Sequence, residues 1–273
     1  MDMDWLKRIF RFNITLQTFQ DNWKATIILT VLFSGMAALY AGMYPAFEDI
    51  MTDMAQSGAL DSFAFLPGYE DIASYVGFLN IEMYQIFWVL ILGIILGFLA
   101  ASVIAKEVES KTIDILMSNP VSRKQIIIEK FLGLIPMVLI INFAAMLVIM
   151  GATVGIGEDL DFWNLFLTHV ISVPYFLAIV SIGILFSTIF DEKMKASIVT
   201  MSLVVVIFIF DSIANLIPDY EALGYLSLKS YFTPYDALKF GEIDGVGTGV
   251  LILVSIVALV IAVFYFDYKD IKV

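Results

Sequence analysis

The sequence predicts an all-α membrane protein with six transmembrane helices preceded by an interfacial amphipathic helix. Three observations carry that prediction. Hydrophobic residues make up 60% of the 273 residues and charged residues only 15%, too little polar sequence to cover the surface of a soluble domain of this length. The mean hydropathy is +0.92, and the apolar residues fall into six long runs. Lys and Arg are also distributed unequally between the segments that join those runs.

Residues 4–23 come first. Trp5, Ile9, Phe12, Leu16, Phe19 and Trp23 recur at alternating spacings of four and three, which is one stripe of an amphipathic helix. Lys7, Arg8 and Arg11 give it a basic end suited to the headgroup layer of membrane lipids. An elbow helix over residues 1–23 is therefore expected. No cleavable leader is visible, so the first span is expected to stay attached as an anchor.

Crossing a hydrocarbon layer of roughly 30 Å takes about 20 apolar residues. Residues 25–44, 84–105, 131–154, 166–190, 196–217 and 247–266 meet this requirement. Pro136 and Pro174 lie inside the third and fourth spans, where membrane helices tolerate a kink. Residues 45–83 and 218–246 then form outer loops, and residues 106–130 the largest inner loop. Thirteen of the fifteen basic residues sit on the side that holds both termini, and only Lys229 and Lys239 on the other. Positive charge is retained on the cytoplasmic side, so both termini are expected there, in a multi-pass protein of the cell (cytoplasmic) membrane. The outer segments carry fifteen acidic residues, read as a solvated acidic surface. Cys is absent, which excludes disulfides and thiolate chemistry in this chain.

The inner loop is the most informative stretch: Lys106-Glu-Val-Glu-Ser-Lys-Thr-Ile-Asp-Ile-Leu-Met-Ser-Asn-Pro-Val-Ser-Arg-Lys-Gln. Ile113, Leu116 and Met117 share one face of a short helix, which Asn119-Pro120 stops, since the residue before proline avoids the helical region. Ser122, with Gln125 three residues on, is a capping-box pattern that starts a new helix leading into the third span. The result is a charged helical elbow with a small apolar face, suited to docking in a groove of another protein and equally to an ordinary helical hairpin.

This loop resembles that of the permease subunits of type-2 ATP-binding-cassette (ABC) transporters, which are mostly exporters. Their loop reads approximately Glu-x-Glu-x-Gly-Thr, a Leu-Leu pair, Pro-x-Ser-Arg and a later Lys. The matching positions are Glu107, Glu109, Thr112, Leu116, Pro120, Ser122, Arg123 and Lys130. The departure is Lys111, where the family has Gly, and it bears on whether the chain bends tightly there. Phe186-Ser-Thr-Ile-Phe through Lys195-Ala196, and Leu226-Ser227 through Leu238, resemble the family's passages before the fifth and last spans. The resemblance implies a single permease domain over 1–273 that works as a dimer above a separate ABC ATPase, with the substrate path at the dimer interface. The eight matching residues would form an ATPase-coupling element. No Gly-x-x-x-x-Gly-Lys-Ser/Thr phosphate loop occurs in the sequence. The expectation is accordingly a non-enzyme with no cofactor of its own, ATP and Mg being held by the partner, and no nucleic-acid partner.

Asp211 is the one acid well inside an expected span, a possible intramembrane polar site although it lies in the outer part of that span. His169 is the only histidine and is read as structural. Gly93, Gly97 and Ala101, spaced by four, give the second span a smooth face for close packing. Two other classes compete with the permease reading. An ion- or proton-coupled secondary transporter needs several intramembrane ionisable groups, of which Asp211 alone is thin support. An intramembrane hydrolase needs a nucleophile and base at one depth, and His169 has no evident serine partner.

Overall fold

The computed structural model describes residues 13–113 and 121–269. Six helices among them are long and apolar enough to cross a membrane: α1 (Asn13–Ser57), α2 (Tyr75–Glu109), α3 (Arg123–Ile156), α4 (Phe162–Ile189), α5 (Lys193–Leu216) and, after the short α6 (Pro234–Phe240), α7 (Gly245–Tyr268). No strand occurs among the described residues.

Two differences from the expected spans have local causes. From Asn13 onward the chain is one helix, so residues 13–23 of the expected elbow are the first turns of α1, and residues 1–12 lie outside the described residues. Residues 13–44 contain no Pro, so nothing there forces a boundary near Lys24. At its other end α1 runs through Pro45 to Ser57, taking thirteen residues of the expected outer loop into a helix. Met51, Met54 and Ala55 of that extension pack on a small satellite core of Leu60, Leu66, Ile72 and Ile81. Burial of those side chains offsets the one backbone hydrogen bond that proline removes.

α2 likewise starts earlier than expected and widens into π turns over Asn80–Leu92. In such a turn residues five apart come into register, and Gln85 Nε2 indeed donates to Asn80 Oδ1 at 3.3 Å. Asn80 Nδ2 in turn donates to the Pro67 carbonyl at 2.8 Å, fixing the preceding loop. α3 and α4 continue through Pro136 and Pro174.

α4 is the most buried of the six and α1 and α7 the least. α1 lies along α3, while α2, α5 and α7 pack on or beside α4. Close approach depends on missing side chains. A Cβ on Gly183 of α4 would stand 2.8 Å from Ala100 Cβ, 3.0 Å from the Gly97 oxygen and 3.1 Å from the Ala101 nitrogen of α2. Gly93 and Gly97 face Ile179 of α4 and Val204 of α5, so the smooth face of α2 is spent on packing inside this chain. Buried hydroxyls add specificity: Ser181 and Ser255 share a 2.7 Å bond between α4 and α7, and Trp88 Nε1 donates to Ser172 at 3.2 Å.

His169 is fully buried at the centre of a polar chain. Asn142 Nδ2 donates to the His169 carbonyl at 2.8 Å, so its oxygen, 3.0 Å from Nδ1, accepts from that ring nitrogen. Nε2 is then the acceptor for the Tyr84 hydroxyl at 2.9 Å. Both ring nitrogens are thus engaged in hydrogen bonds inside the bundle; no cluster of three or more metal-ligating side chains occurs among the described residues.

The packing makes a direct prediction. G183A lowers the thermal unfolding midpoint of the detergent-solubilised protein, at a cost of about 1–3 kcal/mol, because backbone of α2 must move. G151A, where an added Cβ meets open space, leaves the midpoint unchanged or raises it slightly through helix propensity.

Candidate functional site

The loop between α2 and α3 leaves α2 through a tight reversal. The Thr112 N–H donates to the Glu107 carbonyl at 2.9 Å and the Lys111 N–H to the Val108 carbonyl at 3.1 Å. This pair of bonds closes a helix with its next residue left-handed. That residue is Lys111, at φ 57°. The bend that glycine makes in the resembling family therefore forms here with lysine, at a steric cost of roughly 1–2 kcal/mol. The offset lies beside it, where the Thr112 hydroxyl donates to the Glu107 carboxylate and the Lys130 ammonium, 3% exposed, lies 3.1 Å from the other Glu107 oxygen.

On the far side of the loop Ser122 caps α3, its hydroxyl accepting from the Gln125 N–H at 3.1 Å. The first turns of α3 then reach three other helices. Arg123 Nη1 donates to the Lys269 carbonyl at 2.7 Å and the Phe266 carbonyl at 3.4 Å, closing the end of α7. Lys124 pairs with Asp267 at 3.3 Å. Glu129 is buried, and its carboxylate accepts from the Ile14 N–H at 3.1 Å, the Thr15 N–H at 3.3 Å and Gln125 Nε2 at 2.6 Å. Lys269 donates to the Thr188 and Ile189 carbonyls at 2.7 and 3.1 Å and pairs with Asp191 at 2.6 Å, which ties off α4.

Glu109 completes the ring. Its carboxylate accepts from the Lys193 N–H at 3.0 Å, the start of α5. Helix ends leave backbone donors and acceptors without intrahelical partners, and Glu129, Arg123, Lys269 and Glu109 each satisfy such groups on a different helix. In these four contacts positive dipole ends meet carboxylates and negative ends meet cations.

Of the eight sequence-predicted coupling residues, Glu107, Thr112 and Lys130 meet in one cluster. Glu109 turns to α5, Ser122 caps α3 and Arg123 holds α7. Leu116 and Pro120 lie outside the described residues. Glu129 and Lys269 are missed by the sequence reading. For Glu129 the available signal is an acid two residues before an uninterrupted apolar run, a position that demands buried donors.

Asp211 lies at the opposite end of the bundle. It is 2% exposed and about 8 Å from the end of α5 at 1.5 Å per residue. Its carboxylate pairs with the Lys229 ammonium and accepts from Ser230 Oγ at 2.7 Å and Asn215 Nδ2 at 3.1 Å. Burial pushes the Lys229 ammonium below its ordinary value, and the Asp211 charge works against that. A small cavity of about 120 Å³ adjoins the pair, lined also by Gln85, Phe232, Thr233 and Asp236. Burial, then Glu242 and Asp244, push the Asp236 carboxyl up. The sequence clue to the pair is that Lys229 is one of only two cations in the acidic segments.

Two stability outcomes follow from these sites. D211A strands a buried ammonium and costs about 3–5 kcal/mol, and replacing Asp211 and Lys229 together with Leu recovers most of it; thermal unfolding of single and double variants measures the difference. K111G relieves the left-handed strain and raises the unfolding midpoint, by about 1 kcal/mol in stability.

In comparisons with known proteins, no curated protein matches the chain. The sequence model of the family described as "ABC-2 family transporter protein" matches residues 22–271.

Proposed function

Since the chain belongs to the ABC-2 family of transporter membrane proteins, and is thus a multi-pass ABC permease, we propose that it is an exporter subunit driven by a separate ABC ATPase docked at the end that carries the α2–α3 loop. The observation that carries this reading is the linkage of that loop. Its two flanks, Glu107–Thr112 and Ser122–Lys130, contact the ends of α1, α5 and α7, and through Lys269 the linkage continues to α4. A push on the loop therefore reaches the helices through direct hydrogen bonds.

In this reading the docking contacts come from the exposed side chains of the bend, Lys106, Ser110 and Lys111, together with the segment that follows. Glu107 and Glu109 serve the permease's own helix ends. ATP and Mg2+ are bound by the partner, a second permease copy completes the substrate path, lipid surrounds the apolar faces of α1, α5 and α7, and the basic end faces the cytoplasm. The ion-coupled alternative loses its main candidate, because Asp211 is already occupied by Lys229, Ser230 and Asn215.

The test is co-purification with an ABC ATPase expressed from the same genome. Reversing Lys106 and Lys111 together to Glu is expected to lower the affinity for that ATPase at least tenfold while the yield of folded permease is unchanged. Transport by the isolated chain in liposomes without nucleotide would overturn the reading.

A further inference from the structure

The start of α5 lacks a cap of its own. Its preceding residue, Glu192, accepts no hydrogen bond from a backbone N–H of the first turn, and its carboxylate instead lies 2.5 Å from Lys195 Nζ. The Lys193 N–H is satisfied by a residue 84 positions earlier, Glu109, which is the last residue of α2 before the bend. Deeper in the bundle α2 and α5 touch through Ser197, whose hydroxyl donates to the Phe98 carbonyl at 3.2 Å, and through Thr200 against Gly97. Those contacts lie about one to two turns from the helix start. At the end next to the loop, Ala196 packs on Ala101 and Ala105 and Lys193 Nζ lies 5.9 Å from the Phe98 ring centroid, and the Glu109 carboxylate supplies the hydrogen bond seen there among the described residues.

We infer that Glu109 is a positioning residue for transport, which makes the end of α5 follow the α2–α3 loop by holding the Lys193 N–H. The inference rests on the motor-driven reading above and assigns Glu109 a task separate from holding the motor. A carboxylate on a helix N-terminus is a charge-assisted, directional contact. It moves with α2 because Glu109 belongs to the last turn of that helix, whose closing bonds at Lys111 and Thr112 run straight into the loop. Because it acts at the loop end, its loss uncouples the first turn of α5 from the loop while the Ala196, Ser197 and Gly97 contacts still hold the helix in place. The other flank of the loop reaches α1 and α7 through Glu129 and Arg123, so it does not depend on Glu109.

The chain has no cysteine, so one introduced thiol is a unique reporter. Ile198 on α5 and Leu147 on α3 are both exposed. I198C and L147C, each labelled with an environment-sensitive maleimide dye, are reconstituted in nanodiscs with the ABC ATPase that co-purifies with the chain and challenged with ATP. The expected result is that E109A cuts the ATP-induced change at I198C at least fivefold and leaves the change at L147C and the affinity for the ATPase unaltered. E109Q, which keeps an acceptor oxygen, retains about half of the I198C response. An unaltered I198C response in E109A, or a loss of ATPase affinity in E109A, overturns the proposal. A parent chain that binds the ATPase but shows no ATP-dependent change at either reporter overturns the motor-driven reading itself, and the proposal with it.

Discussion

The structure depends on one constraint: the backbone groups at helix ends have no partner within their own helix, and at a membrane boundary each must find one. At the basic end this chain answers with side chains lent between helices. Glu129 serves α1, Glu109 serves α5, Arg123 serves α7 and Lys269 serves α4, while Glu107 and Lys130 join α2 to α3. In the four contacts of Glu129, Glu109, Arg123 and Lys269 with a neighbouring helix end, the signs agree with the dipole of that end. The helix ends are thereby connected to one another more tightly than packing alone would connect them. The bend at Lys111 sits within this ring, and the surrounding bonds hold a lysine in the left-handed conformation there.

In the middle of the bundle a different rule applies. Apolar side chains gain little by leaving lipid, so helix association relies on close packing and on hydroxyl bonds. Gly183 against Ala100 and Gly97, Ser181 with Ser255, and Trp88 with Ser172 are the visible means. α4 is the common partner, which explains why it carries His169, Ser172, Ser181, Ser187 and Thr188 in fully buried positions. α1, α5 and α7 keep exposed apolar faces such as Ile28, Ile198 and Ile256, the composition of a surface solvated by hydrocarbon.

At the acidic end the loop after α5 is pinned back onto the bundle by Lys229 on Asp211. Breaking such a pair is costly because the remaining charge is stranded. Asp211 is thus a fastening for the segment that leads into α6 and α7. The two ends of the bundle differ in kind: the basic end distributes its ties over every membrane helix, and among the described residues the acidic end relies on the buried Asp211–Lys229 pair and the partly exposed Asp71–Lys239 pair.

The sequence alone determined that the chain crosses a membrane, how many times, and which loop stands out. Those properties follow from apolar run length, charge asymmetry and local capping, all of which act between residues close in the chain; the Ser122 cap is an instance. It did not reveal how far α1 extends past Pro45, because the compensation comes from Leu60, Leu66, Ile72 and Ile81 beyond that helix. Nor did it reveal Glu129 on Ile14, Glu109 on Lys193 or Lys229 on Asp211, whose partners lie 115, 84 and 18 residues apart. Composition and periodicity report what a residue prefers as neighbours, and only the tertiary packing decided which helix end each charge would meet. The physical reason is that a buried charge is tolerated only where distant backbone donors or an opposite charge converge on it, and that convergence is a property of the assembled bundle.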